Sequence, residues 1–539
     1  MARINIAVDG MTCGHCEATV AAALRGTGAL AVQADFRRGL ASADFDGDPN
    51  ALAAAISQAG YTAGDIDTVS AETVATITGA SEGRYDLAVI GSGGAAFAAA
   101  IRATNLGARV VVIERDTVGG TCVNVGCVPS KTLLAGAVAF HTAGSHPFAG
   151  LPTSAGRPDL AALVAQKDEL VGQLRQAKYL DVAAAYGFDI LHGEARFVDP
   201  DTLEVDGHPL RAASYLVATG AEPTVPDLPG LAEAGYLTST TAMELTQVPA
   251  RVVTIGGGFV GMEQSQLLTR LGAQVTVVGR LAPRAEPDLA AWMGRVFADE
   301  GIAVLAQRAV AVERDAADIV VVTADGSRLV TDAILVAVGR SPRLAALDLD
   351  AAGVKVDAGG FVAVDGELRT SNPRVFAAGD VTGGHQYVYV AAAQGNLAAE
   401  NALTDGHRRM DYTGVPSVIF TDPALASAGM TEAEARAAGH DVVSRVLELE
   451  NVPRALANRD TRGAIKLVAE AGTGKVLGVH ALAEGAGDLI LAGVYAIKFG
   501  LTVDDLATTW APYLTMSEGL KLVAQSFKGD VKKLSCCAA

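Results

Sequence analysis

Leu87-Ala-Val-Ile-Gly91-Ser-Gly93-Gly94 and Val252-Val-Thr-Ile-Gly256-Gly-Gly258-Phe259 are two versions of one phrase, an apolar run that breaks into a glycine turn. Such a turn carries a strand into a helix, and its repetition points to two nucleotide-binding units in one chain. In the first, Gly91, Gly93 and Ala96 make the turn, and Glu114 ends the next expected strand, Val110 to Ile113, 23 residues after Gly91. The glycines let a pyrophosphate approach the helix N-terminus, and the carboxylate accepts from a ribose hydroxyl. The second unit has the stricter pattern, Gly256, Gly258 and Gly261, but its following strand, Gln274 to Val278, ends in Gly279-Arg280. An arginine suits the 2′-phosphate of NADPH, which an acid would repel, and Arg284 can share that work. NADPH is therefore expected over NADH.

From Tyr85 onward strands alternate with alanine-rich helices, the mark of a parallel sheet with helical crossovers. Beyond about residue 411 the alternation weakens into a mixed α+β pattern. Ahead of Tyr85, residues 1–68 read βαββαβ: Ile4 to Val8, a helix from Cys16 to Leu24, Ala29 to Ala34, Leu40 to Phe45, a helix from Asn50 to Ala59, then Tyr61 to Ile66. That order is ferredoxin-like. Residues 69–83, rich in Ser, Thr and Gly, look like a tether. A length of 539 residues with 50% apolar and 19% charged side chains fits a multidomain globular α/β chain. A formal charge of −18 argues against nucleic acid as a partner. With no signal-peptide core at Met1 to Met11 and no charge-free run of 18 apolar residues, the chain is expected in the cytoplasm without membrane insertion.

The six cysteines come as three close pairs, which in a reducing compartment read as metal or redox sites. One pair sits in Gly119-Gly120-Thr121-Cys122-Val-Asn-Val-Gly126-Cys127-Val-Pro129-Ser-Lys131. This segment resembles the redox motif of the FAD-dependent pyridine nucleotide-disulfide oxidoreductases. The resemblance extends from residue 84 to about 530, through Ala218-Thr-Gly220, Ser371 to Asp380 and Val415 to Pro423. It implies FAD held by Gly91, Gly93, Ala96, Glu114, Gly120, Thr121, Lys131, Ala195, Asp380 and Val388. It implies Cys127 as the thiolate in charge-transfer contact with the flavin, Cys122 as the outer thiol, and Lys131 at the ring edge paired with Glu263. The implied layout is an FAD domain over 84–235 and 346–410, an NADPH domain over 236–345 and a dimerisation domain over 411–539. It further implies a homodimer in which each C-terminal domain completes the partner's active site.

Disulfide reductases of that family protonate a leaving thiolate with a histidine near the C-terminus. Here the last histidine is His480, and Ala511 stands where it would fall, in Trp510-Ala511-Pro512-Tyr513. A substrate that needs no such acid is a soft metal ion held between thiolates. Gly10-Met11-Thr12-Cys13-Gly-His15-Cys16 is similar to the loop of heavy-metal-associated domains. Its cysteines are expected just before the first helix, where the dipole favours metal-binding thiolates, with His15 a loop residue rather than a ligand. Cys536 and Cys537, after Lys532-Lys533, add two soft ligands close to the C-terminus. Together these features resemble the members of the family that reduce mercuric ion. The implied substrate is Hg(II) bound to small thiols, handled by Cys13, Cys16, Cys122, Cys127, Cys536 and Cys537, with Tyr179 and Tyr513 flanking the bound metal. Two alternatives are a disulfide reductase or dihydrolipoamide dehydrogenase with a fused metal module, and a non-catalytic soft-metal-binding protein.

Overall fold

The computed structural model describes residues 2–11, 14–35, 40–69, 85–315, 318–404 and 406–529. Cys13, Cys536, Cys537 and nearly all of the expected tether lie outside the described residues.

The N-terminal unit folds βαββαβ, with its four strands in the order Leu30–Asp35, Leu40–Phe45, Ala2–Asp9, Thr62–Val69. Ile4, Ile6 and Val8 alternate inward and pack on Val20 and Leu24 of one helix and Leu52 and Ile56 of the other. The first helix runs Gly14–Arg25, two residues earlier than expected. Cys16 thus belongs to its first turn rather than preceding it, and His15 is helical instead of lying in the loop. Asp48 caps the second helix by accepting from Asn50 N at 3.0 Å.

The first nucleotide-binding unit is a parallel sheet in the order Val375–Ala377, Ala212–Val217, Tyr85–Ile90, Val110–Glu114, Asp189–His192. Its apolar runs are buried on both faces, as crossover sheets require. Leu87, Val89, Val110 and Val112 meet the helices, while Ala88, Ile90, Val111 and Ile113 meet Phe197, Leu203 and Tyr215. The helices Gly94–Asn105 and Val388–Leu403 cross at backbone distance, since a Cβ on Gly395 would stand 1.9 Å from Ala95 O. Segments on either side of the second nucleotide-binding unit thereby complete one domain.

The second unit is a parallel sheet ordered Ala303–Leu305, Gln274–Val278, Arg251–Ile255, Ala333–Val336. The C-terminal unit is a five-stranded antiparallel sheet, Pro416–Ile419, Ala424–Gly429, Val476–Ala483, Ala464–Glu470, Val442–Glu448, packed on the helices Ala486–Lys498 and Glu518–Gln525.

One helical stretch, Gly120–Gly144, is long and apolar enough to cross a membrane by length and composition. Lys131 keeps it from being a charge-free run. In the fold its Leu133, Leu134 and Ala137 pack on Met243, Leu267 and Leu271, so one face of it is buried between the two nucleotide-binding units.

Candidate active site

Both glycine turns open helices with nearly the same backbone. Gly93 and Gly258 cap them at φ −77° and −80°, and Gly91 and Gly256 sit at φ +104° and +113°. The positive φ is needed because the chain doubles back against a neighbouring strand end: a Cβ on Gly91 would stand 2.4 Å from Ala218 O, and one on Gly256 2.3 Å from Ala337 O.

Around the first turn lies a cavity of about 300 Å³ lined by Gly91, Gly93, Glu114, Gly120, Thr121 and Ala195, among others. Ser92 Oγ donates to Glu114 Oε2 at 2.5 Å and accepts from Gly119 N at 3.0 Å. The acid is thus fixed to the turn, with Asp116 N donating to its other oxygen at 2.8 Å. Gly120, at φ +65°, packs so closely that its Cβ would meet Gly93 Cα at 2.5 Å. Ala96 is fully buried in the core beneath the turn, and Asp380 and Val388 also lie outside the cavity lining. Val388 begins its helix, with Cγ2 3.1 Å from where Gly94 would carry a Cβ. Burial raises the Asp380 carboxyl, and Arg340 Nε stands 3.6 Å from it.

Arg340 and Arg343 were not singled out from the sequence. Both leave a buried Nε without a hydrogen-bond partner, as does the Thr219 hydroxyl, and Arg343 and Thr219 line the cavity. Each Nε has only a long ion-pair contact, Arg340 with Asp380 at 3.6 Å and Arg343 with Glu222 at 3.4 Å, and such under-used donors beside an acid and the first glycine turn fit an anionic dinucleotide such as FAD. The signal that could have found these arginines is Gly339-Arg340-Ser-Pro342-Arg343, two basic residues just past the C-terminal end of a parallel strand.

Cys122 lies in the short helix Gly120–Asn124, and Cys127 is the first residue of the helix Cys127–Gly144. The Cys122 side chain hydrogen-bonds the Cys127 sulfur. That bond, helped by the nearby Lys131 ammonium and opposed by burial, lowers Cys127 to about 7. The same bond, with burial, pushes Cys122 well above an ordinary thiol. The pair is polarised, with one sulfur poised as thiolate and the other holding a proton.

Lys131 Nζ donates to Glu263 Oε2 at 2.6 Å and lies 4.7 Å from the Phe420 ring centre. Glu263 follows the second glycine turn by two residues and is buried, and its Oε1 accepts from Phe420 N at 2.8 Å. One carboxylate therefore joins both nucleotide-binding units and the C-terminal unit beside the thiols.

Tyr179 sits in a π-helical turn, Gln176–Leu180, edge-on to Phe97 at 4.7 Å. Burial and the two nearby thiols raise its phenol to about 12. Tyr513 is half-exposed in the C-terminal domain, held by the turn in which Leu514 N donates to Glu518 Oε2 at 3.2 Å and Leu514 takes φ +59°.

At the second turn, Gly261 must lack a Cβ because it would stand 2.0 Å from Gly256 O, whereas Gly258 has nothing within 4 Å. Ala282 N donates to Gly257 O at 2.9 Å, folding the 279–286 segment back on the turn with Arg280 and Arg284 both exposed. Arg284 lies close enough to Tyr387 to favour its phenolate, although burial dominates and raises that group. Tyr387 in turn stacks on Phe259 at 6.3 Å and on Tyr389 at 5.4 Å.

The family model for pyridine nucleotide-disulphide oxidoreductases matches residues 85–395, the model for their dimerisation domain residues 415–524, and the heavy-metal-associated domain residues 5–62. The chain is 46% identical to a mercuric reductase of Lysinibacillus sphaericus, with 100% of both chains covered. It is 54% identical to a mercuric reductase of Streptomyces lividans over 84% of this chain and 98% of that one. The chain belongs to the mercuric reductases of the pyridine nucleotide-disulphide oxidoreductase family. Among solved structures, the HOCl-induced flavoprotein disulfide reductase RclA from Escherichia coli superimposes with a TM-score of 0.74 at 29% identity, covering 82% of this chain and 100% of that one.

Proposed function

We propose that the chain catalyses Hg²⁺ + NADPH → Hg⁰ + NADP⁺ + H⁺. The observation that carries this reading is the polarised Cys122–Cys127 pair beside the Lys131–Glu263 bridge, in a chain with Ala511 where disulfide reductases of the family have their acid.

When bound, FAD would supply the two-electron carrier between NADPH and the thiol pair. Gly91, Gly93, Gly120 and Thr121 would bring backbone close to it, Glu114 would accept from its ribose, Ala195 would line its cavity, and Asp380 and Val388 would contact the part that extends beyond that cavity. Arg280 and Arg284 hold the 2′-phosphate of NADPH. Lys131, fixed by Glu263, keeps a positive charge beside the Cys127 thiolate. Cys122 and Cys127 take Hg(II) from small thiols as a dithiolate, which releases the Cys122 proton. Two electrons then convert the metal to Hg⁰, which binds thiolates poorly and leaves. Tyr179, and Tyr513 from the partner subunit, flank the metal during exchange.

The homodimer is supported by Leu491, Tyr495 and Phe499, three exposed apolar side chains at four-residue spacing along and just past the helix Ala486–Lys498. Cys13 and Cys16 capture metal on the N-terminal unit, and Cys536 and Cys537 carry it to the partner's Cys122 and Cys127. The protein works in the cytoplasm.

The primary test compares NADPH oxidation by the purified yellow protein with Hg(II) in excess thiol, oxidised glutathione and lipoamide. Turnover with mercury alone is expected, and turnover with either disulfide at a comparable rate would remove the reading. Delivery between subunits is tested with mixed dimers of a Cys536→Ala/Cys537→Ala chain and a Cys122→Ala/Cys127→Ala chain. These should outpace the tail-mutant homodimer on mercury bound to bulky thiols. Equal rates would leave delivery across the interface without support.

A further inference from the structure

Asn124 stands between the two cysteines and uses its side chain in both directions. Its Nδ2 donates to Val118 O and Gly120 O, each at 3.0 Å, closing the turn that carries Cys122. Its Oδ1 accepts from Arg175 Nε at 2.8 Å. Arg175 is the last residue of the helix Leu160–Arg175, and the π-helical turn holding Tyr179 begins at the next residue.

A π turn inserts extra backbone into a helix and redirects the side chains that follow, so what fixes its start fixes where they land. Here the Tyr179 ring reaches the thiol loop itself, with Cδ2 3.6 Å from where Gly119 would carry a Cβ. The Phe97 edge contact supports the ring from behind, and Gln176 Nε2 donates to Asp181 Oδ1 at 2.7 Å across the turn. Neither of these ties the turn to the cysteine loop. Only Arg175 adds a directional bond between them, and it does so as a half-buried cation that makes no ion pair among the described residues.

We propose that Arg175 is a positioning residue that, through Asn124, sets the Tyr179 hydroxyl relative to Cys122 and Cys127 during mercury exchange. The inference rests on the reading of Tyr179 given above. A charge-assisted bond from a guanidinium to an amide oxygen is directional, and a displacement of the order of 1 Å at a reacting centre is enough to slow it severalfold to a hundredfold.

The test is a double-mutant cycle on the full-length holoenzyme, with Hg(II) supplied in excess small thiol. Arg175→Met should lower kcat for mercury-dependent NADPH oxidation about tenfold, while the long-wavelength thiolate–flavin absorbance of the reduced enzyme is preserved. Arg175→Lys, which keeps a donor for Asn124, should recover much of the loss. Arg175→Met/Tyr179→Phe should match Tyr179→Phe alone, because a residue acting through another adds nothing once that other is gone.

Multiplied losses in the double variant, or an Arg175→Lys enzyme as slow as Arg175→Met, would overturn the proposal. So would a fully active Arg175→Met enzyme beside a slow Tyr179→Phe. A Tyr179→Phe enzyme as fast as wild type would instead sink the reading of Tyr179, and the positioning role with it. Should Arg175→Met fail to retain flavin, Arg175→Ala and Arg175→Ala/Tyr179→Phe, which also lack the donor, run the same comparison.

Discussion

The two glycine turns share a backbone and differ in everything built upon it. Around the first, each approach is closed: Ser92 ties Glu114 to Gly119, Gly120 rests on Gly93, and the helix Val388–Leu403 crosses at Gly395. Around the second, position 257 cannot carry a side chain, because a Cβ would lie 2.3 Å from Arg280 O. Gly258 faces open space there, and the two arginines stand in solvent. An enclosed site with a fixed acid suits a dinucleotide that stays, and an open one with exposed cations suits a dinucleotide that must leave each cycle. The lesson is that the turn specifies the class of ligand, while its surroundings specify the residence time.

The comparison breaks most visibly at Gly91. Gly91→Ala places a Cβ against the Ala218 carbonyl at a φ that L-residues avoid, a cost of at least about 3 kcal/mol. The purified variant is expected to lose most of its flavin absorbance, and a fully yellow protein would show that the enclosure is less strict than the geometry implies. Gly258→Ala should fold with full flavin and show only a raised KM for NADPH. Next in size is Arg280→Glu, which would remove the charge-assisted contact proposed for the 2′-phosphate, worth about 1.5–3 kcal/mol, or roughly tenfold to a hundredfold. It should lower kcat/KM for NADPH relative to NADH without touching flavin content. A variant that kept its preference would move the 2′-phosphate away from Arg280, and Arg284→Glu would then be the next variant to measure.

What the sequence discloses follows from which contacts are local. The strand Gln274–Val278 is read to the residue because an apolar run bounded by glycine and alanine carries its own limits. The Lys131–Glu263 pairing was legible only through family resemblance, since 132 residues separate its partners. Arg340, Arg343 and the Arg175–Asn124 bond escaped because a lone arginine in sequence looks like a solvated cation, and only the folded chain buries it beside a cavity or a loop. The start of the first helix was misplaced because Gly14 and His15 are weak helix formers, which the packing of Val20 and Leu24 overrides.

The smallest predicted effect lies where the two sites touch. Lys131 belongs to the first nucleotide-binding unit and Glu263 to the second, and their bridge sits beside Cys127. Cys127 is lowered to about 7, so near neutral pH roughly half of it is thiolate. The ammonium of Lys131 favours that thiolate and the carboxylate of Glu263 opposes it. Lys131→Met removes the favourable charge and leaves the unfavourable one unpaired, so both consequences raise the Cys127 pKa. For a rise of about one pH unit, the thiolate fraction at pH 7 falls from about a half to about a tenth, while at pH 9 it stays above about nine-tenths. Mercury turnover by Lys131→Met should therefore be down about fivefold at pH 7 from this cause and should recover as the pH rises. Titrating the long-wavelength thiolate–flavin absorbance of the reduced enzyme measures the midpoint directly. An unchanged midpoint would mean that the Cys122 hydrogen bond alone sets the thiolate, and that the bridge joins the two sites mechanically but not electrostatically.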